Sequence, residues 1–571
     1  MSFLNFSEAN CKNCYKCLRH CPVKAIKIKD EQAQIVEDKC IGCSECLVIC
    51  PQNARQIKSS VANVKRAIVE NKRVIATIAP SFIGGFNLKD AGQMVTALKK
   101  LGFNHVEETA IGAEVIATLY KNYINSNDQK NYITTCCPAA NNLIEKYYPS
   151  LIEYMLPMVS PMVAHGKLIR EYYGHDSYVV FIGPCTAKKI EAADVRDEGV
   201  IDAVLTFEEM EVWFEEEGIK LDALLGEAFD SESFKKGSSF PVGGGVLSSF
   251  IDDNSKLDVI AVSGIKECMD LFDSVEKGQL ENYCIEVNVC KGSCIGGMAM
   301  PKNDESIFVR KERVKNYVKD KKDISKKGEF QIPKNIDYGK YFFEHKVDFD
   351  VADEEIEKVL NRMGKYKLED ELNCGGCGYN TCREKAKAVV LGMAEINMCL
   401  PFMRGKAESL KNLIFENSPN AIMLVDNNML IKEINPMVEK IFDIEASRAK
   451  NSPLSMLIDD KEFIEVRDTK KNIIKRKAFY PSHNVVLLQN IIYVEKQNVL
   501  LAIMVDITKE EKSKGELSKV KESTLDAAQK VIEKQMRVAQ EIASLLGETT
   551  AETKSTLTKL KNITIGEKGD L

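Results

Sequence analysis

The chain has 571 residues, of which 44% are hydrophobic and 28% are charged, and its formal net charge is −6. This balance is ordinary for a globular protein of several domains, and it predicts no general attraction for nucleic acid. No apolar run approaches about 20 residues and the start has no signal pattern, so we expect no membrane span and a cytoplasmic location. Disulfides are rare there, so nineteen cysteines against six histidines indicate metal held mainly by sulfur.

The first 58 residues contain two equivalent cysteine runs of the form C-x2-C-x2-C-x3-C-P. This spacing is typical of bacterial ferredoxins with two [4Fe-4S] clusters, in which the fourth cysteine of each run ligates the other cluster. We predict such a ferredoxin domain over residues 1–58. One cluster is expected on Cys11, Cys14, Cys17 and Cys50, and the second on Cys40, Cys43, Cys46 and Cys21. A pair of zinc sites is the alternative, although zinc often uses two separated CxxC pairs.

Three later segments, "ITTCCPAA", "FIGPCTAKK" and "VNVCKGSCIGG", place cysteines far apart in the chain. They resemble, in order and spacing, the three signature segments of [FeFe]-hydrogenase. The resemblance runs from about Val74 to Gly297 and includes "IAPS", "SP", "DAVLTFEE" and "GGGV". It implies an α/β domain over residues 70–300. Cys268 and Cys284 match no motif, and we expect them to be buried as small hydrophobic residues.

The resemblance also implies a cofactor, the H-cluster, in which one thiolate joins a [4Fe-4S] cubane to a two-iron subsite with CO, cyanide and a dithiolate. The cubane ligands would be Cys137, Cys185, Cys290 and Cys294, with Cys294 as the bridge. The implied reaction is H2 ⇌ 2H+ + 2e−, with Cys136 passing the proton. Lys188 would contact one cyanide, and Pro80 and Ser81 would flank the other. The alternatives are a packing role for Cys136 and a solvated surface charge for Lys188.

The sequence departs from the efficient members of that family at four positions. They commonly carry Met where this chain has Gly183 and Asn288. Gly183 is expected to remove the volume of that side chain and Asn288 to add hydrogen-bonding groups, and both changes should alter the surroundings and the potential of the two-iron subsite. The helix "IGAEVIATLYKNYI" usually bears two glutamates of the proton path, but here Tyr120 and Tyr123 stand there. A phenol with a pKa near 10 is a poor proton relay. Ser160 keeps its place in the path, so we expect slow turnover or a different proton exit.

Residues 301–368 are predicted to form a helical segment that wraps this domain, with "KYFFEHKVDFDVADEEIEKVLNRMGKY" as its helix. Residues 369–402 contain "NCGGCGYNTC" and a later cysteine beyond a helical stretch. This pattern resembles a small [4Fe-4S] domain of several redox proteins and predicts a third accessory cluster. Its ligands would be Cys374, Cys377, Cys382 and Cys399. Zinc is a more serious alternative at this site than in the ferredoxin runs.

Residues 405–508 resemble a PAS domain: helix, strand, turn, strand and helix, followed by antiparallel strands. His483 is expected at the surface rather than on a haem. Residues 509–565 carry a heptad stripe. One core position holds Leu525, Ile532, Ala539, Leu546, Thr553 and Leu560, and the other holds Ala528, Gln535, Ile542, Thr549, Thr556 and Ile563. We predict a weak coiled-coil signalling helix, with a plain dimerisation tail as the alternative.

The predicted fold class is therefore multidomain α/β and α+β: a two-cluster ferredoxin, an α/β H-cluster domain, a small [4Fe-4S] domain, a PAS domain and a coiled-coil helix. We interpret the chain as an [FeFe]-hydrogenase of the sensory type. It would turn over H2 and protons slowly and report H2 or redox state to a partner protein, as a homodimer without nucleic acid or membrane. The alternative is a metabolic hydrogenase that exchanges electrons with a ferredoxin-like partner. A third hypothesis is a redox-signalling scaffold without the two-iron subsite.

Overall fold

The computed structural model describes residues 4–6, 10–252, 255–303, 305–322, 332–345, 347, 350–546 and 551–565. It divides into two compact units, Met1–Phe402 and Met403–Leu571. The units contain α/β and α+β domains, as the sequence predicts. Among the helices of the described residues, none is at once long enough and apolar enough to traverse a bilayer.

The ferredoxin region consists of four short strands and two short helices. They are β1 (Leu4–Phe6), α1 (Lys16–His20), β2 (Ile26–Lys29), β3 (Gln32–Ile35), α2 (Glu45–Val48) and β4 (Arg55–Ile57). β1 pairs antiparallel with β4, and β2 with β3. Tyr15 and Ser44 take the left-handed conformation directly before α1 and α2. The two cysteine runs thus fold into equivalent loops, each of which turns sharply into a helix.

Two parallel sheets form the centre of the first unit. Their strands are β5 (Val74–Ile78), β6 (His105–Glu108), β7 (Asn131–Ile133), β8 (Tyr178–Gly183), β9 (Ala203–Thr206), β10 (Asp258–Ser263) and β11 (Tyr283–Asn288). One sheet has the order β6-β5-β8-β9 and the other β10-β11-β7, and every pairing within them is parallel. The apolar sequences of β5 and β8 fit this arrangement, because helices cover both faces of a parallel sheet.

The helices of this region mostly connect one strand to a later one, whereas the first precedes β5 and the last follows β11. They are α3 (Val61–Val69), α4 (Phe82–Gly85), α5 (Gly92–Leu101), α6 (Ala110–Ser126), α7 (Pro138–Tyr147), α8 (Pro161–Tyr173), α9 (Ala187–Ala192), α10 (Phe207–Glu216), α11 (Lys235–Ser238), α12 (Leu247–Phe250), α13 (Ile265–Glu276) and α14 (Ile307–Asp320). α6 and α8 lie very close, because a Cβ on Gly112 would stand 2.2 Å from the Pro161 carbonyl oxygen. Glycine is therefore required at residue 112.

The segment after α14 differs from the predicted continuous helix. Only its second half is helical, as α15 (Asp353–Arg362). The first half runs extended along the α/β core: the Lys340 amide donates to the Pro157 carbonyl at 3.1 Å, and the His345 amide to the Glu145 carbonyl at 2.8 Å. The Lys340 ammonium is buried beside Asp197. These contacts replace helical hydrogen bonds, so the prediction of helix over "KYFFEHKVDFD" is wrong for residues 340–345.

The small cysteine-containing region of residues 369–402 packs directly on the ferredoxin region. It contributes α16 (Cys382–Val390), and α17 (Leu400–Glu416) begins at its end. Leu18, Ile26 and Ile28 share one hydrophobic cluster with side chains of this region. Gly378 faces Leu18, and its carbonyl accepts a hydrogen bond of 2.8 Å from the Lys24 ammonium. Both cysteine-rich regions therefore belong to one packed body.

The second unit has a five-stranded antiparallel sheet of order β13-β12-β16-β15-β14. Its elements are β12 (Ala421–Asp426), β13 (Ile431–Ile434), α18 (Pro436–Phe442), α19 (Ala446–Ala449), α20 (Lys461–Thr469), β14 (Ile473–Tyr480), β15 (Val485–Val494) and β16 (Val499–Asp506). The predicted helix, strand, turn, strand and helix are present, whereas β14, α19 and α20 were not foreseen. His483 lies against the Phe442 ring, with ring centres 5.3 Å apart.

Two helices follow this sheet in the described residues, α21 (Thr508–Leu546) and α22 (Ala551–Ile565). On α21, Leu525 and Ile542 of the heptad stripe are 40% and 50% exposed. Thr549 lies outside the described residues. An apolar stripe that the rest of its own chain leaves exposed suits pairing with another helix, so the coiled coil remains a prediction.

We predict that Gly378→Ala loosens the packing between residues 369–402 and the ferredoxin region. Gly378 has a φ of +96°, and an added Cβ would stand 2.9 Å from Leu18 Cγ. Gly392→Ala is the matched control, because Gly392 has a φ of +67° but only open space around it. We expect the Gly378 variant to lose about 1–3 kcal/mol more in urea unfolding than the control. Equal losses would show that the close approach to Leu18 contributes nothing.

Candidate functional site

The cysteines of the first unit's centre lie just beyond the carboxyl ends of parallel strands. Cys136 and Cys137 follow β7, Cys185 follows β8 and Cys290 follows β11. Pro80, from the segment after β5, reaches the same region. Parallel strands direct their carboxyl ends to one edge, where ligands usually bind. The topology thus gathers residues that are more than 150 positions apart in sequence.

These residues border one cavity of about 110 Å³. Many of the residues singled out from the sequence line it: Pro80, Ser81, Cys136, Cys137, Cys185, Lys188, Asn288, Cys290 and Cys294. Cys294 lies inside the protein, and its accessible surface faces this cavity. Burial raises the pKa of Cys185 to about 11, so a thiolate at this position requires a positive partner such as iron.

Two serine hydroxyls on the cavity wall indicate which kind of bound group would suit the cavity. Ser81 Oγ and Ser293 Oγ are buried, and within the described residues neither has a hydrogen-bond partner. Buried hydroxyl groups are normally satisfied. Both residues line the cavity, so a bound group with acceptor atoms would satisfy them. The donor set of thiols, hydroxyls and one ammonium fits an anionic iron–sulfur cofactor with acceptor ligands.

Lys188 is a buried cation, with 10% of its side chain exposed. Its ammonium lies 2.7 Å from Glu191 Oε2 and 3.4 Å from the Cys136 carbonyl oxygen. Burial opposes the charge, but Glu191 outweighs it and raises the pKa of Lys188, so the ammonium stays charged. Ser160 Oγ donates to the same Glu191 oxygen at 2.9 Å. The alternative of a solvated surface charge for Lys188 is therefore wrong.

Cys136 lies beside the buried phenol of Tyr120. Tyr120 Oη is 3.5 Å from Cys136 Sγ and 2.9 Å from Thr135 Oγ1. Burial raises the pKa of Cys136 to about 12, although Tyr120 and Lys188 lower it. Tyr123 does not share this site, since its hydroxyl lies 3.4 Å from Gln129 Nε2. Of the two tyrosines at the expected glutamate positions, only Tyr120 reaches the thiol.

Gly183 does not leave the extra volume that the sequence suggested. A Cβ on Gly183 would stand 2.7 Å from two ring atoms of Phe181, and Phe181 itself lines the cavity. The aromatic ring thus fills the space in which a Met at residue 183 would lie, so the prediction of missing volume is wrong. Asn288 does border the cavity, and its amide donates to Glu286 Oε1 at 3.1 Å.

Glu286 is a polar residue of this region that the sequence interpretation missed. It is 1% exposed, and its carboxylate accepts hydrogen bonds from the amides of Gly244, Val246 and Leu247 at 3.0–3.2 Å. The motif "GGGV" thus supplies backbone donors to a buried carboxylate. A single acid inside the apolar strand "YCIEVN" was the available signal.

Cys268 and Cys284 are fully buried, which confirms their predicted packing role.

The accessory cysteines gather in the predicted groups. One small cavity is bordered by Cys11, Cys14, Cys17 and Cys50, and another by Cys374, Cys377, Cys382 and Cys399. Burial raises the pKa of Cys21 to about 12, and the nearby thiols of Cys46 and Cys40 add to this. Among the described residues, no three Cys, His, Asp or Glu side chains stand close enough to hold a single metal ion. The cysteines of each of these two groups surround a small cavity instead.

Four parts of the chain match known families. Residues 72–298 match the iron only hydrogenase large subunit, C-terminal domain, and residues 3–51 match a 4Fe-4S dicluster domain. Residues 370–401 match a family described as a putative Fe-S cluster, and residues 409–476 match a PAS domain. The chain is therefore an iron–sulfur protein with an H-cluster-type domain and a PAS domain.

Curated relatives agree with these matches. Iron hydrogenase 1 of Clostridium pasteurianum is 27% identical over 47% of this chain, which spans only 58% of that protein. A cytosolic Fe-S cluster assembly factor of Xenopus tropicalis is 23% identical over 40% of this chain and 62% of its own length. The structure of [FeFe]-hydrogenase HydA1 from Chlamydomonas reinhardtii covers 45% of this chain and 88% of its own, with 19% identity and a TM-score of 0.38.

The periplasmic [Fe] hydrogenase large subunit of Nitratidesulfovibrio vulgaris is 30% identical over 369 residues, which cover 53% of this chain and 87% of that protein. With this overlap, and with the thiols, Lys188 and the orphaned serines around one cavity, the chain belongs to the iron-only hydrogenase large-subunit family.

Proposed function

We propose that the chain is a slow [FeFe]-hydrogenase that reports H2 or redox state to a partner protein. The observation that carries this proposal is the presence, in one polypeptide, of a hydrogenase-family cavity and a PAS domain. When bound, the H-cluster would supply the iron chemistry of H2 ⇌ 2H+ + 2e−. A cytoplasmic location, a homodimer and a ferredoxin-like electron partner are parts of the same proposal.

The residues around the cavity would hold and orient that cofactor. We assign Cys137, Cys185, Cys290 and Cys294 to its cubane, with Cys294 as the bridge to the two-iron subsite. Lys188, held charged by Glu191, would anchor one cyanide, and the orphaned hydroxyl of Ser81 would donate to another acceptor ligand beside Pro80. Fixed donors of this kind stabilise charge without reorganisation.

The other twelve ligand cysteines would hold three accessory clusters in the groups predicted from their spacing. Supporting this, Cys50 from the second ferredoxin run borders the same cavity as Cys11, Cys14 and Cys17 from the first. Cys21 lies among the thiols of the second run. This exchange of the fourth cysteine is typical of two-cluster ferredoxins.

We predict that fully matured protein contains four cubanes and one two-iron subsite, or about 18 irons per chain. Cys374→Ala should lower the iron content by about four and remove one accessory cluster signal in electron paramagnetic resonance. Cys268→Ala, a buried cysteine outside every group, is the control and should leave both unchanged. About 14 irons in the wild type, unaffected by Cys374→Ala, would exclude the third accessory cluster.

We predict different losses from the two adjacent cysteines. Cys136→Ala should keep the CO and cyanide infrared bands and lose at least about 100-fold of H2 turnover, because the proton-exchanging thiol is gone. Cys137→Ala should lose the bands, because it removes a cubane ligand. Tyr120→Phe tests the phenol beside Cys136 without changing the packed ring. Wild-type turnover in Cys136→Ala would exclude the thiol as the proton carrier.

The sensing part of the proposal needs only a modest energetic coupling. A change of about 60 mV in a one-electron potential corresponds to about 1.4 kcal/mol, and typical allosteric couplings are about 1–3 kcal/mol. The region of residues 369–402 directly precedes the PAS domain in sequence, and reducing its cluster would add one negative charge there. The exposed apolar stripe of α21 is a suitable output element, because weakly packed helices can shift between two states.

We predict that H2 changes hydrogen exchange in residues 405–546 of anaerobic, matured protein. The sample is compared under H2 and under an oxidant, with the cluster oxidation states checked by absorbance. Cys374→Ala is the control, because it should uncouple the change without removing H2 turnover. Identical hydrogen exchange under H2 and under the oxidant, with the clusters shown to have changed oxidation state, would contradict sensing and favour a metabolic hydrogenase.

The metabolic hydrogenase remains the second candidate function. It is favoured by the enclosed cavity, which carries Cys136 and Lys188 together, and by relatives named as hydrogenases. It predicts rapid H2 turnover with a ferredoxin and no exchange response in the PAS domain. Rapid H2 turnover with a ferredoxin as the electron partner would therefore favour the metabolic hydrogenase.

A further inference from the structure

We propose that a chain of four buried side chains, Thr109, Thr77, His165 and Glu107, is a proton relay between the cavity and the protein surface. We call it the His165 relay. The inference rests on the proposed H2 reaction, which must move protons through an enclosed site. It assigns a function to polar groups that are not in any motif of the sequence.

Each link of the His165 relay is within hydrogen-bond distance. Thr109 lines the same cavity as Cys136. Its Oγ1 lies 2.8 Å from Thr77 Oγ1, which lies 2.8 Å from His165 Nδ1. On the other side of the ring, His165 Nε2 lies 2.9 Å from Glu107 Oε2. The chain of contacts is therefore continuous from the cavity wall to a carboxylate.

The far end of the relay reaches partly exposed residues. Glu107 Oε1 accepts hydrogen bonds from the Tyr173 hydroxyl at 2.7 Å and from Ser231 Oγ at 2.6 Å. His105 stacks beside Tyr173 with ring centres 4.6 Å apart, and Asp230 lies 3.7 Å from His105. His105 and Asp230 are both partly exposed, so water can exchange protons at this end.

The fold holds the relay in place with its main elements. Thr77 on β5 and Glu107 on β6 are direct register partners in the parallel sheet. His165 lies on α8, which approaches α6 closely because residue 112 is glycine. Thr77 and His165 are fully buried, and Thr109 and Glu107 are 4% exposed. Rigid elements thus fix four polar groups in a row inside an otherwise apolar core.

The proton transfer balances without any further reactant. A proton from H2 oxidation reaches Thr109, whose hydroxyl releases its own proton to Thr77, and Thr77 does the same to His165 Nδ1. The ring then releases the proton on Nε2 to Glu107, which passes it to water near Tyr173. The ring then carries its proton on Nδ1, so a half-turn of the ring and a rotation of both hydroxyl groups reset the relay. The two electrons leave separately through the clusters.

Glu107 is the acceptor at the far end of the relay. Burial raises its pKa, but the hydrogen bonds that it accepts from His165, Ser231 and Tyr173 outweigh burial and lower the pKa to about 2. The side chain is therefore a carboxylate, with lone pairs available to accept the proton that the ring releases.

The competing explanation is that these residues only satisfy each other in the core. Buried polar groups are generally paired, so pairing alone does not demonstrate transfer. The two explanations differ in what happens when one hydroxyl is removed without a change of shape. A structural network loses stability, whereas a relay loses proton delivery even where the fold and the cofactor persist.

The test uses the full-length, matured protein with Thr77→Val, which removes the hydroxyl, and Thr77→Ser, which keeps it. Glu107→Gln removes the acid and keeps the size of the side chain. Thr96→Val is the control for losing a buried hydroxyl, because the Thr96 hydroxyl donates to the backbone carbonyls of Gly92 and Leu225 and lies outside the relay. CO and cyanide infrared bands verify the cofactor in every variant, and thermal unfolding reports stability.

We expect Thr77→Val and Glu107→Gln to lose at least about tenfold in H2 oxidation with a larger solvent isotope effect, and Thr77→Ser and Thr96→Val to lose little. With the cofactor poised without turnover, its infrared bands should also respond more slowly to a pH jump in the first two variants. Wild-type rates and pH-jump responses in Thr77→Val would overturn the relay. A wild-type protein that shows no CO or cyanide bands would overturn the proposed function as well.

Discussion

The structure of the first unit depends on one constraint, the parallel direction of all strands in both of its sheets. It directs the segments after β5, β7, β8 and β11 to one cavity. Thiols that are more than 150 residues apart thereby meet at one cavity. Burial raises the pKa values of Cys185 and Cys290, so the site is unfavourable for bare thiolates and favourable for thiolates bound to iron.

Lys188 gives the cavity a fixed positive charge. Its side chain is 10% exposed and burial opposes the charge, but Glu191 at 2.7 Å raises the pKa of Lys188 and keeps the ammonium charged. Glu191 is fixed in turn by Ser160, so one carboxylate holds both side chains. Ser160, which the sequence places in the proton path, thus contacts the carboxylate that pairs with Lys188. Its part in proton transfer stays a prediction, and the His165 relay is proposed as a further route.

The cysteine groups could be predicted because each motif fixes its own geometry over a few residues. The three close thiols of "NCGGCGYNTC" and of each ferredoxin run need no tertiary information, whereas the exchange of Cys21 and Cys50 follows from the known pattern of two-cluster ferredoxins. The contact of Tyr120 with Cys136 could not be predicted, because it depends on how α6 meets the segment after β7. Phe181 and Gly183 lie two residues apart on β8, but the direction of the Phe181 ring depends on the packing around the strand. The His165 relay combines residues from β5, β6 and α8, and no local sequence pattern identifies residues that come together in this way. Residues 340–345 were predicted helical from their composition, but backbone bonds to Pro157 and Glu145 make them extended.

The central claim is that the cavity beside Cys136 and Lys188 holds a two-iron subsite with diatomic ligands. Infrared spectroscopy of protein matured with that subsite, recorded under an inert gas and then under H2, tests it most directly. We expect CO and cyanide bands that shift on exposure to H2 and that are absent from Cys137→Ala. Protein that has loaded all its cubanes but shows no such bands would contradict this expectation and would favour a redox-signalling scaffold without the two-iron subsite.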